Sequence, residues 1–168
     1  YVLFSSGTTG LPKPIVHGHG GITVEHLKVL SLHHDLRDDD RFMWFTTTGW
    51  MMWNYLVSGL LVGSTIVLFD GDPAWPDLSA LWRIAAEEQL HVFGVSAPFL
   101  MACRKAGLEP GGELDLSHLR QVGSTGAPLP ADDDLVLALV NLGYRRAAAE
   151  QAVAQVERDS PQLEFAER

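Results

Sequence analysis

The sequence predicts an α/β fold for residues 1–130, with a largely parallel sheet and flanking helices, and a small α-helical tail for residues 131–168. Short apolar runs alternate with segments of helical periodicity, which is typical of strand–helix–strand units. Two of the strand-like runs lead into Gly-rich loops, SSGTTGLPKP and GSTGAPLP. Strand-like runs stop after Pro130, where eight acidic and four basic residues accumulate. We therefore place a domain boundary at 130/131.

The first half of the chain predicts three strands and two helices. Residues 1–4 form an apolar run that predicts a buried strand feeding the first Gly-rich loop. A helix pattern follows over about residues 21–34, and residues 41–45 predict the next strand. The apolar segment 50–62 predicts a buried helix that Gly63 ends from the C′ position. Residues 65–69 are β-branched and apolar, which predicts a strand.

The second half continues the alternation. A helix with one apolar face is predicted, because four apolar residues recur at i, i+3, i+4 and i+7: Leu78, Leu81, Trp82 and Ala85. Asp77 is its predicted cap. Residues 91–95 predict a strand, residues 98–106 a helix and residues 109–112 a loop, and Gln121-Val122 leads into the second Gly-rich turn.

Composition excludes several classes of protein. Hydrophobic residues make up 46% of the chain and charged residues 20%, as in globular domains. The net charge of −9 argues against binding to a nucleic-acid backbone. Residues 55–69 are too short and too interrupted to span a membrane. The one cysteine, Cys103, excludes an intramolecular disulfide and fits a reducing, cytoplasmic compartment, with burial as an inert thiol its expected state. The start at Tyr1, without a basic leader or Met, predicts a piece of a longer protein.

The first Gly-rich loop has the chemistry of an anion site. Its glycines let backbone N–H groups approach an anion, its hydroxyls donate hydrogen bonds, and Lys13 adds a mobile positive charge. The spacing differs from the Walker pattern, in which GK precedes Ser or Thr at a helix start. A flexible loop without a ligand is the alternative that composition leaves open.

YVLFSSGTTGLPKPIVH resembles the phosphate-binding signature of the adenylate-forming acyl-CoA synthetase superfamily. The resemblance covers residues 1 to about 130 and includes HGHGG, EHLK and GSTGAPLP. Within the superfamily, TTTGWMMWNYLVSGLLVGSTIVLFDG is similar to the acetoacetyl-CoA synthetases. The resemblance implies part of the N-terminal domain of the adenylate-forming enzyme fold. It also implies an ATP-dependent acid–thiol ligase that activates acetoacetate or a similar short acid.

The resemblance also implies which residues bind nucleotide. The first loop would hold the β- and γ-phosphates of ATP, with Lys13 as the catalytic cation, and the second would contact the adenine ring. These residues are Ser5, Ser6, Gly7, Thr8, Thr9, Gly10 and Lys13 in the first loop and Thr125, Gly126, Ala127 and Pro128 in the second.

The same resemblance places Trp50, Met51, Met52 and Asn54 beside the acyl group. A Met-lined wall is apolar and adaptable, which suits a short acyl chain. We expect Asn54 to hydrogen-bond a keto oxygen. Plain core packing is the alternative for this aromatic and Met-rich stretch. No metal site is predicted, because the H-x-H and H-H pairs lack i, i+4 spacing and a carboxylate partner.

The family's reaction has two halves: a carboxylate attacks the α-phosphorus of Mg·ATP, and CoA then displaces AMP from the acyl adenylate. The resemblance thus implies ATP, Mg²⁺ and CoA as cofactors, and acetoacetate, ATP and CoA as small-molecule partners. The family's Mg²⁺ carboxylate, ribose carboxylate and lid lysine all follow the GSTGAPLP stretch, where this sequence departs from the family. We therefore expect the chain alone to be inactive.

The tail has a different resemblance. ALVNLGYRRAAAEQAVAQV is similar to the C-terminal helical domain of the Holliday-junction branch-migration subunit RuvA, a small ubiquitin-associated-like bundle that docks onto a motor ATPase. This implies a possible protein partner for residues 131–168, with neither nucleic acid nor membrane bound directly. A generic amphipathic helix pair with a Gly cap is the alternative. A natural fusion, a frameshift and an artificial join all remain open as its origin.

Overall fold

The structure, a computed structural model, describes residues 1–5 and 11–125. The predictions for residues 6–10 and for the tail at 131–168 lie outside the described residues. The six strands are β1 Val2–Ser5, β2 Lys13–Val16, β3 Arg41–Trp44, β4 Thr65–Val67, β5 Val92–Ser96 and β6 Gln121–Thr125. The helices are α1 His19–Lys28, α2 Met51–Val57, α3 Ala80–Glu87, α4 Ala97–Lys105 and α5 Pro110–Glu113, with a π-helical turn at Val29–His33 and a 3₁₀ turn at Ser58–Val62.

Four of these strands form the predicted parallel sheet, in the order β4-β3-β5-β6. Side chains alternate across it: Phe42 and Trp44 of β3 pack with α2 and the π-helical turn, while Met43 packs with α3 and α4 on the opposite face. Helices therefore cover both faces, as parallel sheets require. The predicted α/β class is confirmed.

The predicted burial of the first strand is wrong. β1 pairs antiparallel with β2 in a separate two-stranded ribbon, and Val2 and Phe4 are 49% and 67% exposed. A two-stranded ribbon can bury at most one of its faces against the domain, so alternate side chains of β1 remain exposed.

Most predicted boundaries hold to within a few residues. The helix after β3 ends at Gly63 in the left-handed conformation (φ +80°), as predicted, but its second half narrows to the 3₁₀ turn. Three of the four predicted face residues of α3, Leu81, Trp82 and Ala85, are buried, and so is Cys103, whose thiol pKa is raised by that burial. Asp77 does not cap α3 in the predicted way. Its carboxylate accepts a hydrogen bond from the Ser79 N–H (2.8 Å), which lies before the first residue of α3.

Two turn predictions are wrong. Residues 109–112, predicted as a loop, begin the short helix α5, because Pro110 at the first helical position is compatible with helical φ. The strand β6 extends to Thr125, so Gly123 lies within it and the second Gly-rich turn begins later than predicted. No helix among the described residues is long and apolar enough to cross a membrane.

A charged cluster joins the amino ends of β3, β5 and β6. The buried Asp40 carboxylate accepts hydrogen bonds from Arg120 (2.6 Å) and from the Arg37 backbone N–H (2.9 Å), and His91 Nε2 lies 3.5 Å away. His91 Nδ1 in turn accepts the Arg41 N–H (3.0 Å). Burial alone would raise the Asp40 pKa, but the Arg120 and Arg37 hydrogen bonds outweigh it and hold that pKa below 3.8. Burial lowers the His91 pKa, which favours the neutral ring, whose Nδ1 accepts the Arg41 N–H.

We expect Asp40→Asn to lower the free energy of unfolding by about 2 kcal/mol, because it removes the charge from a buried, hydrogen-bonded pair whose arginine is partly exposed. Asp35→Asn is the control, since the exposed Asp35–Arg37 pair should contribute under about 1 kcal/mol. Urea denaturation at pH 7 measures both. Equal effects of the two changes would contradict the assignment.

The sign of the pH dependence follows from the same cluster. A depressed folded-state pKa means that the unfolded chain binds more protons, so stability rises with pH. The contribution of His91 should decline as pH falls below about 6.5, and that of Asp40 as pH falls through its lowered folded pKa. As the pH is lowered, the free energy of unfolding of Asp40→Asn should therefore decrease less than that of the wild type.

Candidate functional site

The candidate site lies at the carboxyl edge of the parallel sheet. At this edge β3 ends with Trp44, β5 with Ser96 and β6 with Thr125. The chain leaves β3 toward β4 on one side and returns to β5 on the other, so β3 and β5 border a topological switch point. Ligands of open α/β sheets bind in the crevice at such a point.

A cavity of about 460 Å³ opens there and brings together predicted residues from two distant stretches. Met51 and Met52, at the start of α2, line it together with Thr125 at the end of β6. Met52 is buried and Met51 is 43% exposed, so one thioether lies in the wall and the other at its rim. This arrangement is an apolar cavity of the size that a small organic group needs.

The inner wall of the cavity includes the indole of Trp44. In the sheet register Trp44 pairs with Gly94 of β5, which pairs with Gly123 of β6. A Cβ added to Gly94 would lie 2.0 Å from Trp44 Cδ2, and one on Gly123 would lie 2.6 Å from Trp44 Cη2. The ring therefore lies across two neighbouring strands where no side chain larger than hydrogen fits.

Aromatic contacts hold the rest of this wall. The ring of Tyr55 meets Trp44 edge to face (centroids 5.7 Å apart, 86°) and meets His26 of α1 in the same way (5.6 Å, 89°). Burial lowers the His26 pKa, which favours the neutral imidazole. The described lining of the cavity contains the carboxylate of Glu25 and neither Lys nor Arg. The lining is therefore mainly apolar, with the Glu25 carboxylate and a few other polar groups.

The other two predicted acyl-side residues lie elsewhere. Asn54 lines a neighbouring cavity of about 420 Å³ between α1 and α2, not the one that holds Met51 and Met52. Trp50 stands at the N-cap of α2 and is 41% exposed. The core-packing alternative applied to Trp50, Met51, Met52 and Trp53; of these four residues only Met52 is buried, and Trp53 is half-buried.

The predicted phosphate loop joins the two strands of the β1–β2 ribbon. Ser5 and Lys13 pair across it, and Lys13 is exposed at its mouth. The positions of Ser6, Gly7, Thr8, Thr9 and Gly10 lie outside the described residues, as do Gly126, Ala127 and Pro128 of the adenine turn. Thr125, directly before that turn, lines the cavity with Tyr1 and His17, the residues that flank the ribbon.

Sequence reasoning missed four residues of this wall: Trp44, Tyr55, Gly94 and Gly123. One signal was available, because an isolated glycine inside the strand pattern HVFGVS indicates a close approach of another group. Nothing comparable singles out Trp44 or Tyr55, whose aromatic rings fit an ordinary buried strand and helix.

Comparisons with known proteins show the family to which the chain is similar. The family described as AMP-binding enzyme matches residues 1–139. Acetoacetyl-coenzyme A synthetase of Rhizobium meliloti is 54% identical over 129 residues, which are 77% of this chain and 20% of that protein. Acetoacetyl-CoA synthetase of Danio rerio is 40% identical over 129 residues, 77% of this chain and 19% of that protein. The chain thus spans about a fifth of the length of these curated relatives.

Two solved structures are similar to this chain in fold. The acetoacetyl-CoA synthetase of Streptomyces lividans matches with a TM-score of 0.73 and 55% identity, over 91% of this chain and 22% of that one. The N-terminal domain of FACL13 from Mycobacterium tuberculosis, at 24% identity, matches with a TM-score of 0.66 over 84% of this chain and 34% of that one, which shows a shared fold alone. A weak match to the family described as RuvA, C-terminal domain, covers residues 130–167.

Proposed function

The chain belongs to the AMP-binding enzyme family, and we propose that it forms the phosphate-binding and acyl-binding part of an ATP-dependent ligase that joins acetoacetate to coenzyme A. The observation that carries the proposal is the cavity at the carboxyl edge, which is lined by Met51, Met52 and Thr125. An acyl chain in that cavity would lie directly beside the turn that begins after Thr125. Its carboxylate would then lie close to a nucleotide bound at that turn.

The proposed reaction follows from this proximity. The acid's carboxylate oxygen attacks the α-phosphorus of ATP, the bond from that phosphorus to the bridging oxygen breaks, and pyrophosphate leaves. The thiol of CoA then attacks the acyl carbon and AMP departs. The acyl cavity orients the carboxylate, and this positioning lowers the entropic part of the barrier. Lys13, at the mouth of the loop, stabilises charge on the outer phosphates. Mg²⁺ would arrive with ATP and neutralise phosphate charge; we assign none of its ligands to this chain.

Lys13→Ala tests the nucleotide half of the proposal. If Lys13 faces the outer phosphates, its loss should weaken ATP binding roughly tenfold to hundredfold, since a charge-assisted hydrogen bond contributes about 1.5–3 kcal/mol. AMP binding should change little because AMP lacks the β- and γ-phosphates. Titration calorimetry with both nucleotides measures the difference.

Lys105→Ala, which removes an exposed lysine from the last turn of α4, serves as the matched control. It should leave both affinities unchanged. Equal losses for ATP and AMP in Lys13→Ala would mean that the change merely disturbs the loop, and the proposed role of Lys13 would be wrong.

A second candidate function concerns residues 131–168. Their match to the RuvA C-terminal domain family, over 130–167, favours a segment that binds a protein partner. Binding of such a partner requires no turnover by residues 1–130, and the one cysteine favours the cytoplasm as its compartment. Pull-down by residues 1–168 but not by residues 1–130 would support this role.

A further inference from the structure

The outer face of α4 carries a groove of about 600 Å³. Phe99 and Cys103 of this helix pack into the core between α4 and the sheet, and the groove lies on the side that turns away from them. Among the described residues it is lined by Pro98, Met101, Ala102, Arg104 and Lys105. Met101 is 37% exposed. The described lining is therefore an apolar strip beside two cations, and it contains no carboxylate.

The chain leaves the described part of the fold beside this groove. Thr125, the last residue of β6, pairs with Ser96 of β5, and α4 begins directly afterwards at Ala97. Residues 126–131 can extend over about 20 Å, whereas a helix of the length of α4 spans about 14 Å. A segment that follows residue 131 can therefore reach every part of the groove.

The sequence after residue 131 complements the groove in polarity and in charge. Asp132, Asp133 and Asp134 begin a predicted helix, and the chain contains neither Lys nor Arg between residues 126 and 142. From residue 135 to residue 142 only Asn141 is polar. A helix that is apolar on nearly every side needs cover on more than one of them. The segment thus offers apolar contact to the strip on α4 and negative charge to the two cations.

A segment of the same chain also has an advantage over a separate molecule. A short linker holds it near the groove at an effective concentration on the order of 1 mM, far above that of a second copy in dilute solution. The cover for the outer face of α4 is therefore sought in the chain itself.

We propose that residues 132–142 form a helix that packs against the outer face of α4, with Leu139 close to Met101. The match to the AMP-binding enzyme family supports this placement, because it extends to residue 139, past the sequence break at 130/131. The first helix of the tail is then part of the α/β domain. A protein partner of the tail would bind the residues after this helix or displace it from α4.

Cross-linking tests the contact on the whole 168-residue chain. Met101→Cys is combined with Leu139→Cys, and a short bismaleimide joins the two thiols if they lie close together. We expect about tenfold more intrachain product than from Leu32→Cys combined with Leu139→Cys, because proximity sets the effective concentration of the second thiol. Leu32 is the matched control, since it is 76% exposed on the π-helical turn, which packs on the other face of the sheet.

The chain's own thiol does not obscure this measurement. Cys103 is buried, and burial raises its pKa, so it should react little with a maleimide. Leu139→Cys alone measures the background. Mass spectrometry separates an intrachain product, which has the mass of one chain, from a product of two joined chains.

Hydrogen exchange gives a second measurement that needs no added thiol. Met101→Glu places a negative charge against an acidic, apolar segment and should speed amide exchange in residues 132–142 about tenfold. Met101→Leu keeps the apolar contact, and Leu32→Glu changes an exposed apolar residue elsewhere, so both should leave that exchange unchanged. Unchanged exchange in β5 shows that each variant remains folded.

Each of three results would overturn the inference: equal intrachain yields for the Met101 and Leu32 pairs, a product made mainly of two joined chains, or equal exchange in residues 132–142 for Met101→Glu and wild type. The second result would assign the groove to a second copy of the chain. The inference does not depend on the proposed ligase activity, which is tested separately by the ATP and AMP affinities of Lys13→Ala.

Discussion

The 168-residue chain by itself is expected to catalyse no acetoacetate-dependent exchange of labelled pyrophosphate into ATP, and no formation of acetoacetyl-CoA. The sequence keeps the stretches that the resemblance assigns to the phosphates, the adenine ring and the acyl group, and we propose that these bind the ground state. It departs from the family where the resemblance places the Mg²⁺ carboxylate, the ribose carboxylate and the lid lysine. These groups act where charge develops in the transition state.

The size of the effect follows from electrostatic catalysis. Loss of one preorganised partner typically costs about 2.7–4 kcal/mol, or a hundredfold to thousandfold in rate. Loss of three, together with a lid that excludes water, should take turnover below detection even if the effects are not additive. Nucleotide binding can survive, because uniform binding does not require those groups.

Pyrophosphate exchange is the measurement, because it reports the first half-reaction without CoA. The Lys13→Ala chain sets the background. Exchange by wild type above that background would refute the prediction, and would mean that the tail or a second copy of the chain supplies the missing groups.

The parallel sheet could be predicted because its signals are local. Each of its strands is a short apolar run, and α3 shows its buried face in the spacing of Leu81, Trp82 and Ala85. The end of the second helix was equally clear, since Gly63 adopts the left-handed conformation that glycine favours.

The pairing of β1 was not predictable from its own residues. Val2 and Phe4 are as apolar as a core strand, and only the fold shows that they belong to a two-stranded ribbon with an exposed face. Local hydrophobicity reports what a segment can bury, whereas tertiary structure decides whether it is covered.

The candidate site was predictable in part for a similar reason. The motif resemblance brought attention to Met51, Met52 and Thr125, and the fold brings these three to one cavity. The inner wall depends on Trp44 meeting Gly94 and Gly123 across three strands. Strand order and register are long-range properties, so this contact could not be read from sequence spacing.

That wall gives the second large effect: Gly94→Ala should lower the free energy of unfolding by about 3 kcal/mol, and Gly94→Val by more. The added Cβ would lie 2.0 Å from Trp44 Cδ2, and Trp44 cannot retreat without disturbing the aromatic cluster around Tyr55. Overpacking of a rigid core commonly costs about 1–3 kcal/mol, and here backbone and indole are both fixed. Gly20→Ala is the matched control. It adds the same methyl group in α1, where nothing lies within 4 Å, and should stabilise the chain by up to about 1 kcal/mol.

A double-mutant cycle separates this steric effect from a general intolerance of β5 to side chains. Trp44→Ala alone should cost about 3–5 kcal/mol by leaving a cavity. In that background the methyl group of Gly94→Ala has room, so the two changes together should cost about 0.5–3 kcal/mol less than the sum of their separate effects. Urea denaturation of the four chains gives the coupling. Additive effects would mean that Gly94 is required by its backbone and not by Trp44, and the indole would then lose its assigned place as the fixed wall of the acyl cavity.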